Sequence, residues 1–276
     1  MWLMAKREGS MVRASSKASN QEPTGALSKA GKIIDVLADN NGIGPAEVAA
    51  ASGIPRSSAY RILDGLVQVG LVKANQDDTY SLSLSWLNLS DVARSSLTEW
   101  PNAYELLAEL TTLTGQTTFL TVISGFETVC VECAQGPSID ALILRPGGTL
   151  PFFAGAAGRV CLAYSDEQIQ NDYLKQAPFA GYNENSLVTA SALRTDIKQI
   201  RERGFAISNE DITIGVASIG VPIFSQQDGM VVGALSTGGF ADAMMPRCEE
   251  LAGQLTAYVD RLGSGQLSEN SSHSQA

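Results

Sequence analysis

Histidine is almost absent from this chain of 276 residues. The one copy, His273, lies in a Ser/Asn/Gln-rich stretch at the C-terminal end. A Ser-His-Asp triad, a histidine general base and a histidine-containing zinc site are therefore excluded from the folded part. Cysteine is scarce as well: four residues cannot form a dense disulfide scaffold, and they suit a reducing compartment. Cys130-Val131-Glu132-Cys133 resembles half a metal or redox motif. Residues three apart on a strand point to opposite faces, however, and the sequence has no second pair, so these cysteines read as small apolar side chains. No apolar run approaches the roughly 18 residues of a membrane span. Lys6, Arg7 and Glu8 stand where a secretory signal needs its apolar stretch, which makes a cytoplasmic location without membrane contact the expectation. A Gly-x-Ser-x-Gly elbow and a phosphate-loop pattern are both missing, and a candidate nucleophile such as Ser236 lacks a histidine base. No enzyme activity, metal or cofactor is expected.

What is present is ordinary globular composition, 44% apolar and 17% charged, in a length that suits one large domain or two ordinary ones. The net charge of −10 is unevenly divided. Residues 1–85 hold nine Lys/Arg against eight Asp/Glu, while residues 86–276 hold ten against twenty-one. A near-neutral N-terminal part joined to an acidic remainder indicates two tasks. An acidic average does not exclude nucleic acid, because binding needs only a local basic surface.

Residues 1–24 are polar and aperiodic, a disordered lead-in, and residues 263–276 read as a flexible tail. Between them, Ile33, Ile34, Val36 and Leu37 mark one face of a helix that stops at Asn40-Asn41-Gly42. A short second helix opens at Pro45 and closes at Ser52-Gly53. A third runs from Pro55 or Arg56 to Val69, with Ala59, Ile62, Leu63 and Leu66 as its apolar stripe and Gly70 as its stop. Its opposite side carries Arg56, Ser57, Ser58, Tyr60 and Arg61. Two short helices across a tight turn, the second presenting Arg, Ser and Tyr, form a helix-turn-helix signature. Residues 71–73 and 79–82 then alternate across a polar turn, a hairpin wing that carries Lys73. The plainer alternative is a helical core domain with solvated arginines.

The run from Leu27 to Tyr80, including Gly53-Ile54-Pro55-Arg56-Ser57-Ser58-Ala59-Tyr60-Arg61-Ile62-Leu63, closely resembles the winged helix of IclR-type transcriptional regulators. The resemblance continues through Thr114-Gly115-Gln116-Thr117, Gly155-Ala156-Ala157-Gly158-Arg159, Arg203-Gly204-Phe205-Ala206 and Gly233-Ala234-Leu235-Ser236, in that family's order and spacing. It covers roughly residues 26–262, and the ordered combination is what is specific. It implies an α+β chain: a winged helix-turn-helix domain at 25–85, a linker helix at 86–99, and a GAF-like effector-binding and oligomerisation domain at 100–262. It further implies double-stranded operator DNA as partner, a homodimer or a dimer of dimers, and repression of a catabolic operon modulated by a small-molecule effector. A stand-alone scaffold or sensor without an effector is the alternative; an enzyme is a more distant one.

In the acidic part, residues 117–124 and 127–133 read as a hairpin, and 158–164, 167–174 and 192–203 as helices. Ser165 is the expected cap of the second of these helices, with Gln168 completing a capping box. Residues 217–224 and 230–236 read as strands across Gln226-Gln227-Asp228-Gly229. The segment Phe152 to Arg159 leads from a strand into a helix; its small residues allow close approach of a ligand, and its free amides favour a carboxylate. The resemblance places effector contacts at the amides of Ala156 and Ala157 and at Ser208, Ser218 and Ser236. Several family members carry Asp where this chain has Ser208, and Glu210 and Asp211 are acids close by. Phe153 either fills core or lines the pocket, where it would favour an aromatic acid.

Overall fold

The structure is a computed structural model and describes residues 25–95, 100–137 and 144–264. The sequence readings of a disordered lead-in at 1–24 and a flexible tail fall outside the described residues, apart from Gly263 and Ser264, which end a helix. The chain divides into two compact units between Leu97 and Thr98.

The first unit contains helices α1 (Ala26–Asp39), α2 (Pro45–Ser52) and α3 (Arg56–Gln68), strands β1 (Val72–Ala74) and β2 (Tyr80–Leu82), and helix α4 (Ser85–Ser95). Pro45 opens α2, whose N3 residue Glu47 accepts from the Gly44 amide at 2.9 Å; Gly53 ends the helix in the left-handed region. Ile33, Leu37, Val48, Ala49, Ile54, Ala59, Leu63, Leu66 and Val72 close over one another as a single core. Each of its large aliphatic side chains contributes about 1.5–3 kcal/mol on burial. The wing is antiparallel, with Lys73 opposite Ser81, and Ile43 pairs with Tyr80 to tie the α1–α2 connection to it. The Trp86 indole donates to the Leu71 carbonyl at 2.7 Å and fixes the start of α4.

The second unit is built on a six-stranded antiparallel sheet. Its strands are β3 (Thr117–Ser124), β4 (Glu127–Ala134), β5 (Thr149–Pro151), β6 (Ala206–Asn209), β7 (Val216–Phe224) and β8 (Val231–Phe240), in the order β5-β4-β3-β8-β7-β6. Helices α5 (Ala103–Thr114) and α10 (Cys248–Ser264) cover one face through Leu106, Leu107, Leu110, Leu251 and Leu255, against Leu120, Ile219, Val221 and Leu235. Helix α6 (Gly155–Tyr164) packs on the other face, joined by α7 (Glu167–Leu174) and α8 (Ala190–Arg203). A one-turn helix, α9 (Ala241–Met244), and a 3-10 turn at Met245–Arg247 precede α10. With both faces covered, β8 is buried almost throughout rather than alternating.

Local readings needed correction in two places. Asp166, not Ser165, caps α7: its Oδ1 accepts from the Ile169 amide at 2.7 Å. The Ser165 hydroxyl instead donates back to the Cys161 carbonyl at 2.8 Å, in the preceding helix. Helix α6 begins three residues earlier than its apolar pattern indicated, because Gly155 adopts a φ of +69° and turns the chain into it.

Candidate functional site

The polar face of α3 forms as its spacing predicts. Ala59, Leu63 and Leu66 are buried, which rolls Arg56, Ser57, Tyr60 and Arg61 outward, all exposed. Ser58 is the exception: it lies half-buried toward the core side, less available than its neighbours. Lys73 is exposed on β1, and neither it nor Arg56 nor Arg61 has an ion-pair partner among the described residues. The turn beyond it is acidic. Asp77 Oδ1 accepts from the Thr79 hydroxyl at 2.6 Å, a bond that holds its carboxyl below the ordinary range, and Asp78 takes a φ of +58°. Asp77 and Asp78 make the tip of the wing acidic, while Lys73 leaves a positive charge on its first strand.

The second unit holds a cavity of about 70 Å³ between the sheet and the N-terminus of α6. Strand register sets its floor. Ser208 on β6 lies opposite Ser218 on β7, and Ser218 opposite Gly238 on β8. Two residues along β8, Ser236 is flanked by Gly220 and by Phe119 on β3. Residues two apart on a strand share a face, so the three serines and Phe119 look up at α6 together. Gly155, Ala156 and Ala157 form the roof, and Leu144, Leu150, Ile212 and Thr213 the side walls. The first amides of α6 have no carbonyl one turn back within the helix and point at this space. That of Ala156 donates to Ser218 Oγ at 3.3 Å. Helix and sheet approach closely because Gly220 has no side chain: a Cβ there would sit 3.0 Å from the Ala156 carbonyl carbon and 3.2 Å from its methyl. Ala156 thus offers its amide to the cavity while its methyl faces the sheet.

Phe153 does not line this cavity. It is 2% exposed and stacks on Phe179 with centroids 5.0 Å apart and planes 11° apart. Its amide donates to the buried Tyr173 hydroxyl at 2.9 Å. The residue is core, and the preference for an aromatic ligand that rested on it goes with it. The cavity's aromatic wall is Phe119, which sequence reasoning missed because Thr117 to Thr121 are all buried and the run shows no alternation.

Behind Ser208 lies a buried charge network that was also missed. The Arg159 guanidinium is 3.2 Å from Asp196 Oδ2 and 3.6 Å from Asp211 Oδ2, with all three residues nearly inaccessible. It also donates to the carbonyls of Gly155 and Ile207. Burial raises the Asp196 carboxyl above its ordinary pKa, against the downward pull of Arg159 and Arg203. Asp211 Oδ1 accepts from the Ser208 hydroxyl. The Arg159 cation behind the cavity is therefore paired with two aspartates, and the cavity wall itself carries hydroxyls and amides. Among the described residues no cluster of His, Cys, Asp and Glu suits a metal, and no helix is long and apolar enough to cross a membrane.

Residues 98–262 match the model of the bacterial transcriptional regulator IclR C-terminal domain, and residues 26–76 that of the IclR helix-turn-helix domain. The chain is 28% identical to the HTH-type transcriptional regulator XynR of Escherichia coli over 191 residues, covering 69% of this chain and 75% of that one. It is 24% identical to the transcriptional repressor IclR of the same organism, over 80% of this chain and 82% of the repressor. The crystal structure of Thermotoga maritima IclR superposes with a TM-score of 0.70 at 25% identity, over 87% of this chain and 97% of that one. An IclR homologue from Microbacterium hydrocarbonoxydans, complexed with 4-hydroxybenzoate, shares the fold at 18% identity, a TM-score of 0.69, and coverage of 88% and 100%. With a helix-turn-helix unit, an α+β second unit and both domain models matched in order, the chain belongs to the IclR family of bacterial transcriptional regulators, DNA-binding proteins rather than enzymes.

Proposed function

We propose that this regulator is a cytoplasmic repressor of a catabolic operon, modulated by a small carboxylate. On this reading residues 25–85 bind operator DNA, 86–99 link, and 100–262 bind the effector and assemble the oligomer. Arg56, Ser57, Tyr60 and Arg61 enter the major groove, with Ser58 at the edge of the contact and Lys73 on phosphate. A second copy supplies the other half-site, since one winged helix contacts too few bases and phosphates for useful specificity. The named repressor among the relatives supports repression as the outcome. The observation that carries the effector reading is the cavity at the start of α6, where the amides of Ala156 and Ala157 converge with Ser218 and Ser236. Donors without a competing fixed anion on the wall suit a carboxylate.

Ser218→Asp tests this. The new carboxylate takes over the bond from the Ala156 amide and sits favourably at a helix N-terminus, so the fold is kept. It also occupies the anion position with like charge. Calorimetry on the parent should show carboxylates binding while their matching amides do not. The variant should lose carboxylate binding by about 100-fold or more, corresponding to about 2.7 kcal/mol. Equal binding of acid and amide to the parent refutes the carboxylate reading and leaves the regulator assignment standing.

A further inference from the structure

We propose that the effector is a hydroxy acid bearing its hydroxyl one or two carbons from the carboxylate, and that Ser208 selects it by accepting a hydrogen bond from that hydroxyl. This rests on the carboxylate reading above and adds to it the polarity of a second contact. A serine hydroxyl has one proton and two lone pairs. The Ser208 proton is committed to Asp211 Oδ1, on a residue 4% exposed, and the other oxygen of that carboxylate faces the Arg159 guanidinium at 3.6 Å. Toward the cavity, Ser208 therefore presents lone pairs only. Ser218 has the opposite polarity. Its oxygen accepts from the Ala156 amide, and its proton has no acceptor among the described residues, so it donates into the cavity.

The two serines are direct cross-strand partners. Side chains so placed have Cβ atoms about 4.5–5.5 Å apart. A ligand that uses both must carry an acceptor and a donor within a few ångströms: the carboxylate oxygen at Ser218 and the α-helix amides, and a 2- or 3-hydroxyl at Ser208. An oxo acid sets its carbonyl lone pairs against those of Ser208. An unsubstituted acid leaves Ser208 unpaired in a cavity from which water is displaced. Both should bind less tightly by about tenfold or more, the value of one buried hydrogen bond.

The test is calorimetric titration of the full chain with two matched series: lactate, pyruvate and propionate, and malate, oxaloacetate and succinate. In at least one series the hydroxy acid should bind about tenfold or more tightly than its two counterparts. Ser208→Ala should bring the three affinities together by weakening only the hydroxy acid. Asp211→Asn reads polarity directly. Its amide oxygen turns to Arg159 and its NH2 to Ser208, which frees the Ser208 proton for the cavity, so the order of hydroxy and oxo acid should invert. Equal affinities within each series, or a hydroxy-acid preference untouched by both variants, would overturn the assignment of Ser208 while leaving the anion site intact. If none of the six acids binds the parent but neutral analogues do, the carboxylate reading falls and the hydroxy-acid proposal falls with it.

Discussion

Arg159→Met is the substitution from which the buried network makes its sharpest prediction. The thioether fills most of the space of the arginine stem but leaves Asp196 and Asp211 without the cation that lies 3.2 and 3.6 Å from them. Arg203, 4.0 Å from Asp196, remains as partial compensation for one of the two. Removing one partner from a buried ion pair costs about 3–5 kcal/mol. For a unit of this size that lowers the melting temperature by roughly 6–20 °C. The effect should depend on pH with a definite sign. Burial places the folded pKa of Asp196 above its ordinary value of 3.8, and Arg159 is one of two groups pulling it down. A carboxyl whose folded pKa exceeds its unfolded one binds more protons when folded, so the fold gains stability as pH falls from the folded value toward the unfolded one. Without Arg159 that gain is larger and starts at higher pH. The deficit of the variant, measured by thermal melts of the full chain, should therefore narrow between pH 7 and pH 5. The triple variant Arg159→Met, Asp196→Asn, Asp211→Asn should recover most of the loss at pH 7. A single variant that melts within about 2 °C of the parent at pH 7, or a deficit that widens on acidification, would refute this account of the network.

Three further outcomes follow from the described contacts. Arg61→Ala should weaken operator binding by about 1–3 kcal/mol with relaxed preference at one base position, whereas Arg56→Ala should weaken all sequences alike; filter binding against an operator mutant panel separates them. Lys73→Ala should reduce the slope of log affinity against log salt by about 1, and a constant slope with altered base preference would contradict a phosphate contact. Gly220→Val should drive Cβ and Cγ atoms into the Ala156 backbone, 3.0 Å from the Cβ position, costing about 1–3 kcal/mol and closing the cavity, so that acid binding is lost along with stability in urea unfolding.

The first unit was legible almost to the residue because its signals are local. Pro45, Gly53 and Gly70 punctuate it, and the α3 stripe of Ala59, Leu63 and Leu66 has the helical period. Ser58 was the one position misplaced, since a residue beside the stripe can roll either way. The second unit was legible in its long strands and helices and much less so in its site. Strand β6 is four residues long, too short to stand out in the sequence, although it carries Ser208 and sets the register that brings it opposite Ser218. Helix α10 was not read either, though its apolar residues form half of one core layer. Phe153 was ambiguous because an aromatic next to a glycine-rich helix start looks the same whether it faces ligand or core. Its stacking on Phe179 is a contact across 26 positions of chain, which no local pattern reveals. The Arg159 network has the same character: Asp196 and Asp211 lie 37 and 52 positions away and come together only through the packing of α8 and the β6–β7 loop on α6.

That loop also bears on how an effector can act at all. A ligand shifts an equilibrium between two geometries only by its difference in affinity for them, and moving the ratio from 1:99 to 99:1 requires about 10⁴-fold, roughly 5.5 kcal/mol. A cavity of about 70 Å³ buries too little apolar ligand surface to supply that by area alone. Hydrogen bonds to a charged group contribute about 1.5–3 kcal/mol each, so about two to four of them suffice, provided that they exist in only one geometry. The sheet floor and the start of α6 are poor candidates for the moving wall. Gly220 lets them touch backbone to backbone, and Arg159 ties the Gly155 and Ile207 carbonyls together. Of the side walls, Leu144 and Leu150 flank the sheet edge, and Ile212 and Thr213 stand on a loop held from outside by hydrogen bonds from Asn183 to the Glu210 carbonyl and from Ser186 to that of Asp211. Asp211 is at once the acceptor for Ser208, a partner of Arg159 and the base of this loop. A ligand hydroxyl that engages Ser208 would therefore act, through Asp211, on a loop held by backbone bonds from Glu210 to Val216 and from Val216 to Thr213 as well as by the Asn183 and Ser186 side chains. On the hydroxy-acid proposal, that contact is where a difference in affinity between two geometries would arise.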